Sequence, residues 1–309
     1  MQFLGKTELR VSAIGLGADH FGTRIPEKEA FYLIDAFLDG GGNLLDTANV
    51  YGRFSPGCAN ESERVLGSWL RAGGRGALIA TKGGHYTPGH PTVMRLSCEE
   101  IEQDLDDSLR TLGLDHIDFY WLHRDDTARE IGEIIETMEG LVQKGKIRYY
   151  GASNYTAARL AEADAYAAAH GYTGFSAVSN LYSAAVRTRE SVSDPTLVLT
   201  REAELAYHAA SGKPLVPYEA TARGYFAKLA AGVPLSPALS AAYDSEENRA
   251  AYGRICALAE ERACSVQTAA LLAARQQPFQ VVPLTGVRDR VQLEDVLAAL
   301  RLAEACTFF

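Results

Sequence analysis

Short apolar runs and longer amphipathic stretches alternate along the chain. The apolar runs are four to seven residues long and rich in branched and aromatic side chains, which predicts buried β-strands. Two shorter segments, 3–5 and 9–11, flank a Gly-Lys-Thr-Glu turn and predict a small N-terminal hairpin. The predicted strands of the main sheet are 13–17, 43–48, 77–82, 117–123, 149–154, 175–181, 215–218 and 280–284.

A stretch with helical periodicity follows each predicted strand. Pro26 stands near the first turn of the first stretch, and the glycines at 40–42 end it. Ser97 and Glu100 have the spacing of a capping box, which predicts a helix start. The predicted helices are 26–39, 61–72, 97–112, 128–144, 157–170, 201–211, 246–261, 266–276 and 291–300.

This alternation predicts the fold. Eight strands, each followed by a helix, indicate an α/β protein with a (β/α)₈ TIM barrel, closed at the bottom by the N-terminal hairpin. The length of 309 residues suits one barrel, so 1–309 is predicted to be a single domain. Long loops are predicted at 183–199 after the sixth strand and at 221–243 after the seventh. A doubly wound sheet is the alternative.

Composition narrows the function classes. A net charge of −9 and a pI near 5.3 argue against a nucleic-acid partner or an anionic membrane surface, because both favour a basic face. The N-terminus is too polar for a signal peptide, and apolar windows are too short to span a membrane. Five cysteines without metal-ligand spacing indicate a reduced, cytoplasmic setting. His20, His85 and His90 have no spacing that supports a metal site.

Four titratable side chains follow neighbouring strands at the end where a barrel places its chemistry. Asp46, Lys82 and His123 end the second, third and fourth predicted strands, and Tyr51 lies on the loop after the second. Each residue alone has an ordinary structural explanation, as a cap, a surface lysine, a packing tyrosine or a core histidine. Together they indicate a proton-relay site, since a buried lysine and aspartate require each other.

The relay implies a specific chemistry. An ammonium at Lys82, held by Asp46, is expected to lower the pKa of the Tyr51 phenol, which then protonates a carbonyl oxygen oriented by His123. The carbon must receive hydride from a separate donor. An alternative for Lys82 is Schiff-base formation, as in an aldolase or decarboxylase on the same barrel.

Motifs along nearly the whole chain resemble the aldo-keto reductases. The matching segments are 6–11, 15–17 with 21–22, 46–48 with 51–52 and 62–63, 81–82, 122–123 and 151–154. The resemblance implies an NADPH-dependent reductase of aldehydes or ketones on a barrel, with Asp46, Tyr51, Lys82 and His123 as the catalytic tetrad. The first glycine segment lacks the third glycine of a GxGxxG motif, which counts against a Rossmann site.

The resemblance also implies cofactor contacts in the second half of the chain. Ser153 and Asn154 match the pair that holds the nicotinamide carboxamide, and Tyr218 matches the aromatic that stacks on its ring. Ser179 followed by Asn180 stands where the family has glutamine. The family segment Tyr-Ser-Pro-Leu is Tyr-Glu-Ala-Thr here, so Glu219 repels a pyrophosphate unless it pairs or turns away; Gly224 still fits.

The last predicted strand and helix resemble the family's adenosine-phosphate loop. Arg288 is the first choice for the 2′-phosphate and Arg290 the second, because guanidinium grips phosphate in bidentate fashion. Solvated positions at a helix start are the ordinary explanation for both. Val296 replaces an asparagine that the family uses at adenine. The other residues predicted to bind cofactor here are Gly286, Gln292 and Asp295.

Some alternatives stay open at this stage. NADH remains an alternative to NADPH as the cofactor. An NADPH-binding regulatory subunit with slow turnover remains an alternative to an enzyme. The partner is predicted to be a small or medium carbonyl compound with aromatic or sugar character. Its pocket is predicted to be lined by Phe21, Tyr86, Trp121 and the long loops at 183–199 and 221–243. Neither the physiological direction nor the oligomeric state follows from the sequence.

Overall fold

The computed structural model describes residues 1–87 and 89–305. The chain opens with an antiparallel hairpin of β1 (Gln2–Phe3) and β2 (Arg10–Val11), which confirms the predicted hairpin. Four cysteines in the described part, at positions 58, 98, 256 and 264, have free thiols. Cys306 lies outside the described residues.

A curved parallel sheet forms the centre of the molecule. Its hydrogen-bonded order is β8-β7-β6-β5-β4-β3-β9, so strands that follow one another in sequence also lie side by side. The strands are β3 (Gly15–Gly17), β4 (Leu44–Asp46), β5 (Leu78–Gly83), β6 (Ile117–Leu122), β7 (Ile147–Ser153), β8 (Val178–Ser179) and β9 (Leu284–Gly286).

The sheet closes through single bridges between its two edges. Leu215 pairs in parallel with Val178 on one side and with Val281 on the other. Closure excludes the doubly wound sheet and confirms the (β/α)₈ barrel. The predicted seventh strand is reduced to isolated bridges at Leu215 and Tyr218, and the eighth is shifted, since 280–284 was predicted and β9 covers Leu284–Gly286. Pro217 and Pro283 have no N–H to donate to a ladder. The extent of a single domain over 1–309 stays a prediction.

Eleven helices are found in the described part of the chain. The Ser97 hydroxyl accepts from Glu100 N at 3.3 Å, while Ser97 N donates to Glu100 Oε2 at 3.2 Å, so the predicted capping box is confirmed. The helices are α1 (Glu27–Asp39), α2 (Glu61–Arg71), α3 (Cys98–Leu112), α4 (Ile131–Gln143), α5 (Ala157–His170), α6 (Glu202–Ser211), α7 (Tyr225–Ala230), α8 (Pro237–Tyr243), α9 (Glu246–Glu261), α10 (Val266–Ala274) and α11 (Arg290–Ala305).

The two predicted long loops differ in structure. The loop at 183–199 holds one 3₁₀ turn, Arg189–Ser191, and otherwise lacks regular structure. The predicted loop at 221–243 was wrong in part, because it contains α7 and α8. Ser236 caps α8 by accepting from Leu239 N, and Pro237 occupies the first helical position. This Ser-Pro start is a sequence signal for a helix rather than a loop.

The barrel interior is filled from both the strands and the hairpin. Leu4 and Val11 of the hairpin belong to the same buried cluster as Phe119, Trp121 and Val216. Burying such a side chain contributes about 1.5–3 kcal/mol. The hairpin therefore seals the bottom of the barrel, as predicted, and leaves the carboxyl ends of the strands as the open face.

Candidate active site

The structure brings the four predicted catalytic residues together at the carboxyl ends of adjacent strands. Asp46 ends β4, Lys82 is the penultimate residue of β5, and His123 follows β6 directly. Tyr51 lies on the loop after β4, with its ring centroid 4.9 Å from Lys82 Nζ and 5.7 Å from the His123 ring. Parallel strands aligned in register place these side chains above one opening of the barrel.

Lys82 and Asp46 form a buried ion pair. Lys82 Nζ donates to Asp46 Oδ2 and to the Thr47 carbonyl oxygen, the latter at 2.8 Å. Both side chains are almost fully excluded from solvent. Burial raises the pKa of Asp46 and lowers the pKa of Lys82, against the attraction between them. Each charge therefore depends on the other, because removal of one leaves a buried charge without its partner.

Tyr51 differs from the expected phenol. Burial raises its pKa well above the usual 10, and the negative charges of Asp46 and Asp19 raise it further. The expected lowering of this pKa was wrong for the protein alone, because burial is the largest cause of the rise and the charges of Asp46 and Asp19 add to it. A raised pKa keeps the hydroxyl protonated at neutral pH, so Tyr51 has a proton to donate.

His123 is a neutral imidazole. Burial lowers its pKa well below 6.5, followed by the effects of His85, Arg124 and Lys82. Its carbonyl oxygen accepts from Arg124 Nη1 at 2.8 Å and from Asn154 Nδ2 at 3.1 Å, which fixes the backbone. A neutral ring can donate one hydrogen bond to a carbonyl oxygen without adding charge.

Arg124 is a site residue that sequence reasoning missed. Its buried guanidinium bonds Thr196 Oγ1 at 2.8 Å and Asp194 Oδ2 at 3.3 Å, both on the loop at 183–199. Tyr86 OH donates to Asp194 Oδ2 at 3.2 Å. Its position in the sequence could have indicated a site residue, since Arg124 directly follows His123 at a strand end. Arg124 ties the long loop to the reacting end of β6.

His85 is the second missed residue. Its ring is 6% exposed and packs edge-on against His123, with 4.7 Å between centroids. The rings of Tyr86 and Phe54 lie 4.1 Å and 5.6 Å away. By contrast, Phe21 and Trp121, predicted to line the pocket, are fully buried in core clusters. The open mouth is therefore lined by the loops after β4 and β5.

The predicted carboxamide residues form a connected network at the ends of β7 and β8. Asn154 has φ of +63° and accepts at Oδ1 from Tyr218 OH at 2.6 Å. Ser153 Oγ donates to the Ser179 carbonyl oxygen at 2.7 Å. Asn180 Oδ1 accepts from Asn154 N at 2.8 Å. Ser179 Oγ is buried, and none of the residues that the structure describes forms a hydrogen bond with it.

The loop after Tyr218 departs from ordinary backbone geometry. Glu219, Ala222, Arg223 and Gly224 all have φ between +49° and +74°. Left-handed backbone costs about 1–2 kcal/mol for a residue other than glycine. Such outliers cluster where ligands bind; the cofactor role of this loop stays a prediction.

Glu219 forms ion pairs with two arginines, which is one of the two ways in which its repulsion of a pyrophosphate was expected to be avoided. Its carboxylate bonds Arg187 Nη1 at 3.0 Å and 3.1 Å and Arg223 Nε at 3.1 Å. Tyr243 OH donates to Oε1 at 2.5 Å. Arg187 is buried, whereas Arg223 is half-exposed. The negative charge is therefore neutralised on the protein side, and the loops after β8 and after Tyr218 are joined.

The two arginines of the predicted phosphate site have different surroundings. Arg290 stacks 3.5 Å over the Tyr32 ring and lies 3.5 Å from Glu29 Oε1. Arg288 is exposed and close to Lys228, whose pKa is lowered by burial and then by the Arg288 charge. Lys228 was missed at the sequence level. The two like charges side by side form a basic patch.

The other residues predicted here support local structure. Gln292 Oε1 accepts from Arg288 N at 2.9 Å, and Asp295 Oδ1 accepts from Ser265 Oγ at 2.6 Å. A β-carbon at Gly286 would lie 3.0 Å from Asp19 Oδ1, so that position has little room. Val296 is buried in the core. The binding roles of Gly286, Gln292 and Asp295 stay predictions.

The described residues offer neither a clustered metal site nor a membrane-crossing helix. Histidine, cysteine, aspartate and glutamate side chains form no group of three or more suited to a metal ion within 1–87 and 89–305. In the same ranges, none of the helices combines the length and apolarity that a membrane crossing requires.

Comparisons with known proteins agree with this geometry. The sequence model described as "Aldo/keto reductase family" matches residues 13–305. The chain therefore belongs to the aldo-keto reductase family and is an oxidoreductase. It is 31% identical to the "Uncharacterized oxidoreductase YrpG" of Bacillus subtilis, over 97% of this chain and 91% of that protein.

Two further relatives have names that are more specific. The "Norsolorinic acid reductase stcV" of Emericella nidulans is 28% identical over 94% of this chain and 75% of its own length. The "Aryl-alcohol dehydrogenase GME11368" of Pestalotiopsis microspora is 31% identical over 59% of this chain and 50% of its own length.

Proposed function

We propose that the protein reduces an aldehyde or ketone to an alcohol with NADPH, or catalyses the reverse reaction. The observation that carries this proposal is the position of a protonated Tyr51 between a buried Lys82–Asp46 pair and a neutral His123. A protonated phenol, a fixed cation and a hydrogen-bond donor are the groups that carbonyl reduction requires from the protein.

Each side chain has a separate role in the proposed reaction. His123 donates to the substrate carbonyl oxygen and fixes its direction. The Tyr51 hydroxyl transfers its proton to that oxygen as the new C–H bond forms, and becomes a phenolate. The Lys82 ammonium, 4.9 Å from the ring centroid, stabilises that negative charge, and Asp46 keeps Lys82 charged and in place. Bound NADPH supplies the hydride to the carbonyl carbon.

The residues present fit a nicotinamide cofactor. Ser179 Oγ is a buried hydroxyl that needs a partner, and a carboxamide group offers both a donor and an acceptor. The strained loop at 219–224 and the basic patch of Lys228 and Arg288 suit phosphate groups. We infer that Ser153, Asn154, Ser179 and Tyr218 hold the nicotinamide end, and that Arg288 holds the 2′-phosphate of NADPH.

The substrate is proposed to be an aryl carbonyl compound. Phe54, His85 and Tyr86 form a wall of rings beside His123, and Phe54 is 58% exposed. A flat aromatic substrate packs well against such a wall. The names of two relatives, a norsolorinic acid reductase and an aryl-alcohol dehydrogenase, support this class. A cytoplasmic location belongs to the same proposal.

One observation favours the Schiff-base alternative, because the lowered pKa of Lys82 increases its neutral fraction. The buried hydrogen bonds from Lys82 Nζ to Asp46 and to the Thr47 carbonyl oxygen oppose this alternative, since an imine needs a free and accessible amine.

The test combines protein, NADPH and a set of aryl aldehydes, aryl ketones and sugars, followed by the loss of reduced-nicotinamide absorbance. Carbonyl-dependent loss with matching alcohol formation supports the proposal. Trapping of substrate on Lys82 by borohydride would instead establish the aldolase class. Tight NADPH binding without turnover of any carbonyl would establish the regulatory subunit.

A further inference from the structure

His85 has one ring nitrogen whose state is fixed by the backbone. Its Nδ1 lies 3.0 Å from the Tyr86 carbonyl oxygen. A carbonyl oxygen only accepts, so Nδ1 carries the hydrogen, and Nε2 of the neutral ring has a lone pair. Burial lowers the pKa of His85 to about 4, with Arg124 contributing, so the ring stays neutral under ordinary conditions.

Among residues 1–87 and 89–305, none donates a hydrogen bond to the Nε2 lone pair. The residue that follows 87 is proline, which has no N–H. His85 is buried as a residue, but its Nε2 is not among the fully buried side-chain atoms that lack a partner, so a ligand can reach this nitrogen. An acceptor in this state gains from a ligand that donates to it.

The position of the ring decides which part of a ligand it meets. The His85 and His123 rings are in edge-to-face contact at 4.7 Å. In the proposed reaction His123 faces the reacting carbonyl oxygen, so a group facing His85 lies on a neighbouring carbon atom. The two imidazoles are complementary, since His123 donates to an acceptor oxygen while His85 accepts from a donor.

We propose that His85 Nε2 accepts a hydrogen bond from a hydroxyl group on the carbon next to the substrate carbonyl, and that the enzyme selects α-hydroxy aryl ketones or aldehydes. This inference rests on the proposed carbonyl reduction and adds the substrate class. The rings of Phe54 and Tyr86 hold the aryl group, and His85 reads the adjacent hydroxyl.

A purely structural role for His85 is the competing explanation. A ring that only fills space between Phe54, Tyr86 and His123 would affect all substrates alike. A phenylalanine packs similarly but accepts no hydrogen bond, and a glutamine keeps an acceptor oxygen. The ratio between two substrates in the same variant separates the explanations, because damage to the fold lowers both rates together.

The experiment compares kcat/KM for 2-hydroxyacetophenone and 2-methoxyacetophenone. Both have an oxygen on the adjacent carbon, but the methoxy compound cannot donate. We expect the native protein to favour the hydroxy compound by about tenfold, the worth of one hydrogen bond. His85→Phe should reduce the preference to about one, and His85→Gln should retain part of it.

Two results would overturn the inference. One is equal kcat/KM for both ketones in the native protein, and the other is an unchanged preference in His85→Phe. Either leaves the proposed reduction intact, because both require turnover. A native protein that reduces neither ketone nor acetophenone, with NADPH bound, would instead count against the proposed function and remove the basis of the inference.

Discussion

The reacting end of the barrel and the phosphate-binding edge differ in how their charges are held. Lys82 and Asp46 are buried and bond each other. Arg288 and Arg290 are exposed, on a loop and at a helix start. Breaking a buried ion pair costs about 3–5 kcal/mol, whereas an exposed pair contributes about 0–1 kcal/mol. The first region is therefore fixed by the fold, while the second is free to reorganise around a ligand.

Glu219 lies between these two cases. It bonds a buried guanidinium and a half-exposed one, Arg187 and Arg223. Glu219 stands where the resemblance predicts an uncharged serine, and in this structure Arg187 and Arg223 balance its charge. The comparison teaches that a departure from a motif must be judged with its partners, because Arg187 is 32 residues away in sequence.

The largest expected effect is at Tyr51. Tyr51→Phe keeps the ring beside Lys82 and removes the acid, so kcat should fall by about 10²–10⁴-fold. Single-turnover reduction measures this loss. NADPH affinity and thermal unfolding serve as controls and should stay near native values. Near-native kcat would remove Tyr51 from the role of proton donor.

Lys82→Met tests the dependence of the buried charges on each other. It leaves Asp46 without its cation and should lower the free energy of unfolding by about 3–5 kcal/mol. Adding Asp46→Asn should recover much of that stability but none of the activity, as followed by urea unfolding and kcat. Recovery of activity in the double variant would show that the ion pair only supports structure.

Arg288→Ala tests the exposed edge. A charge-assisted bond to phosphate is worth about 1.5–3 kcal/mol, so NADPH binding should weaken by roughly ten- to a hundredfold and NADH binding hardly at all. Arg290→Ala is the matched control and should do less, because Arg290 already contacts Tyr32 and Glu29. Quenching of Trp69 and Trp121 fluorescence measures both cofactors. Equal losses for the two cofactors would refute the assignment.

The rates of carbonyl reduction and of alcohol oxidation should depend on pH in different ways. Reduction needs the Tyr51 phenol, and its raised pKa predicts a flat rate across neutral pH. Alcohol oxidation needs the phenolate, whose fraction below the pKa rises tenfold per pH unit, so that rate should climb by about this factor. Initial rates in both directions from acidic to alkaline buffer measure the effect. A flat oxidation profile would contradict it.

The smallest expected effect is at Glu219. Glu219→Gln keeps a hydrogen-bond partner for Tyr243 but leaves the buried Arg187 without its counter-charge, so stability should fall by about 1–3 kcal/mol. Arg223→Ala removes a half-exposed partner and should cost at most about 1 kcal/mol. Thermal unfolding of both variants compares them. A larger loss of stability in Arg223→Ala than in Glu219→Gln would show that the exposed ion pair contributes more than the buried one.

The sequence predicted the parts of the site that follow from periodicity. Asp46, Lys82 and His123 were located because buried parallel strands place their last residues at one opening, and that relation needs no distance information. The barrel itself was predicted in the same way. Strand bounds were less predictable at Pro283, because it has no N–H and β9 begins only at the next residue.

Properties that sum over distant groups could not be predicted. The raised pKa of Tyr51 depends on burial and on Asp19, a residue that no local pattern links to it. The stacking of Arg290 on Tyr32 joins positions far apart in the chain. Arg124 and His85 could have been predicted from the sequence, since they closely follow His123 and Lys82, two predicted site residues.

The bridge at Leu215 has a consequence for local opening. Its amide donates to the Gln280 carbonyl oxygen at 2.9 Å, and its own oxygen accepts from Val282 N at 2.9 Å. The long ladders of β6 and β7 have many more such bonds along each strand. Amide deuterium uptake should therefore be faster at Leu215 and Val282 than at Phe119. Because the proposed cofactor contacts lie on both sides of this seam, with Tyr218 after Leu215 and Arg288 after Val282, a bound cofactor should slow exchange there before it slows exchange elsewhere in the barrel.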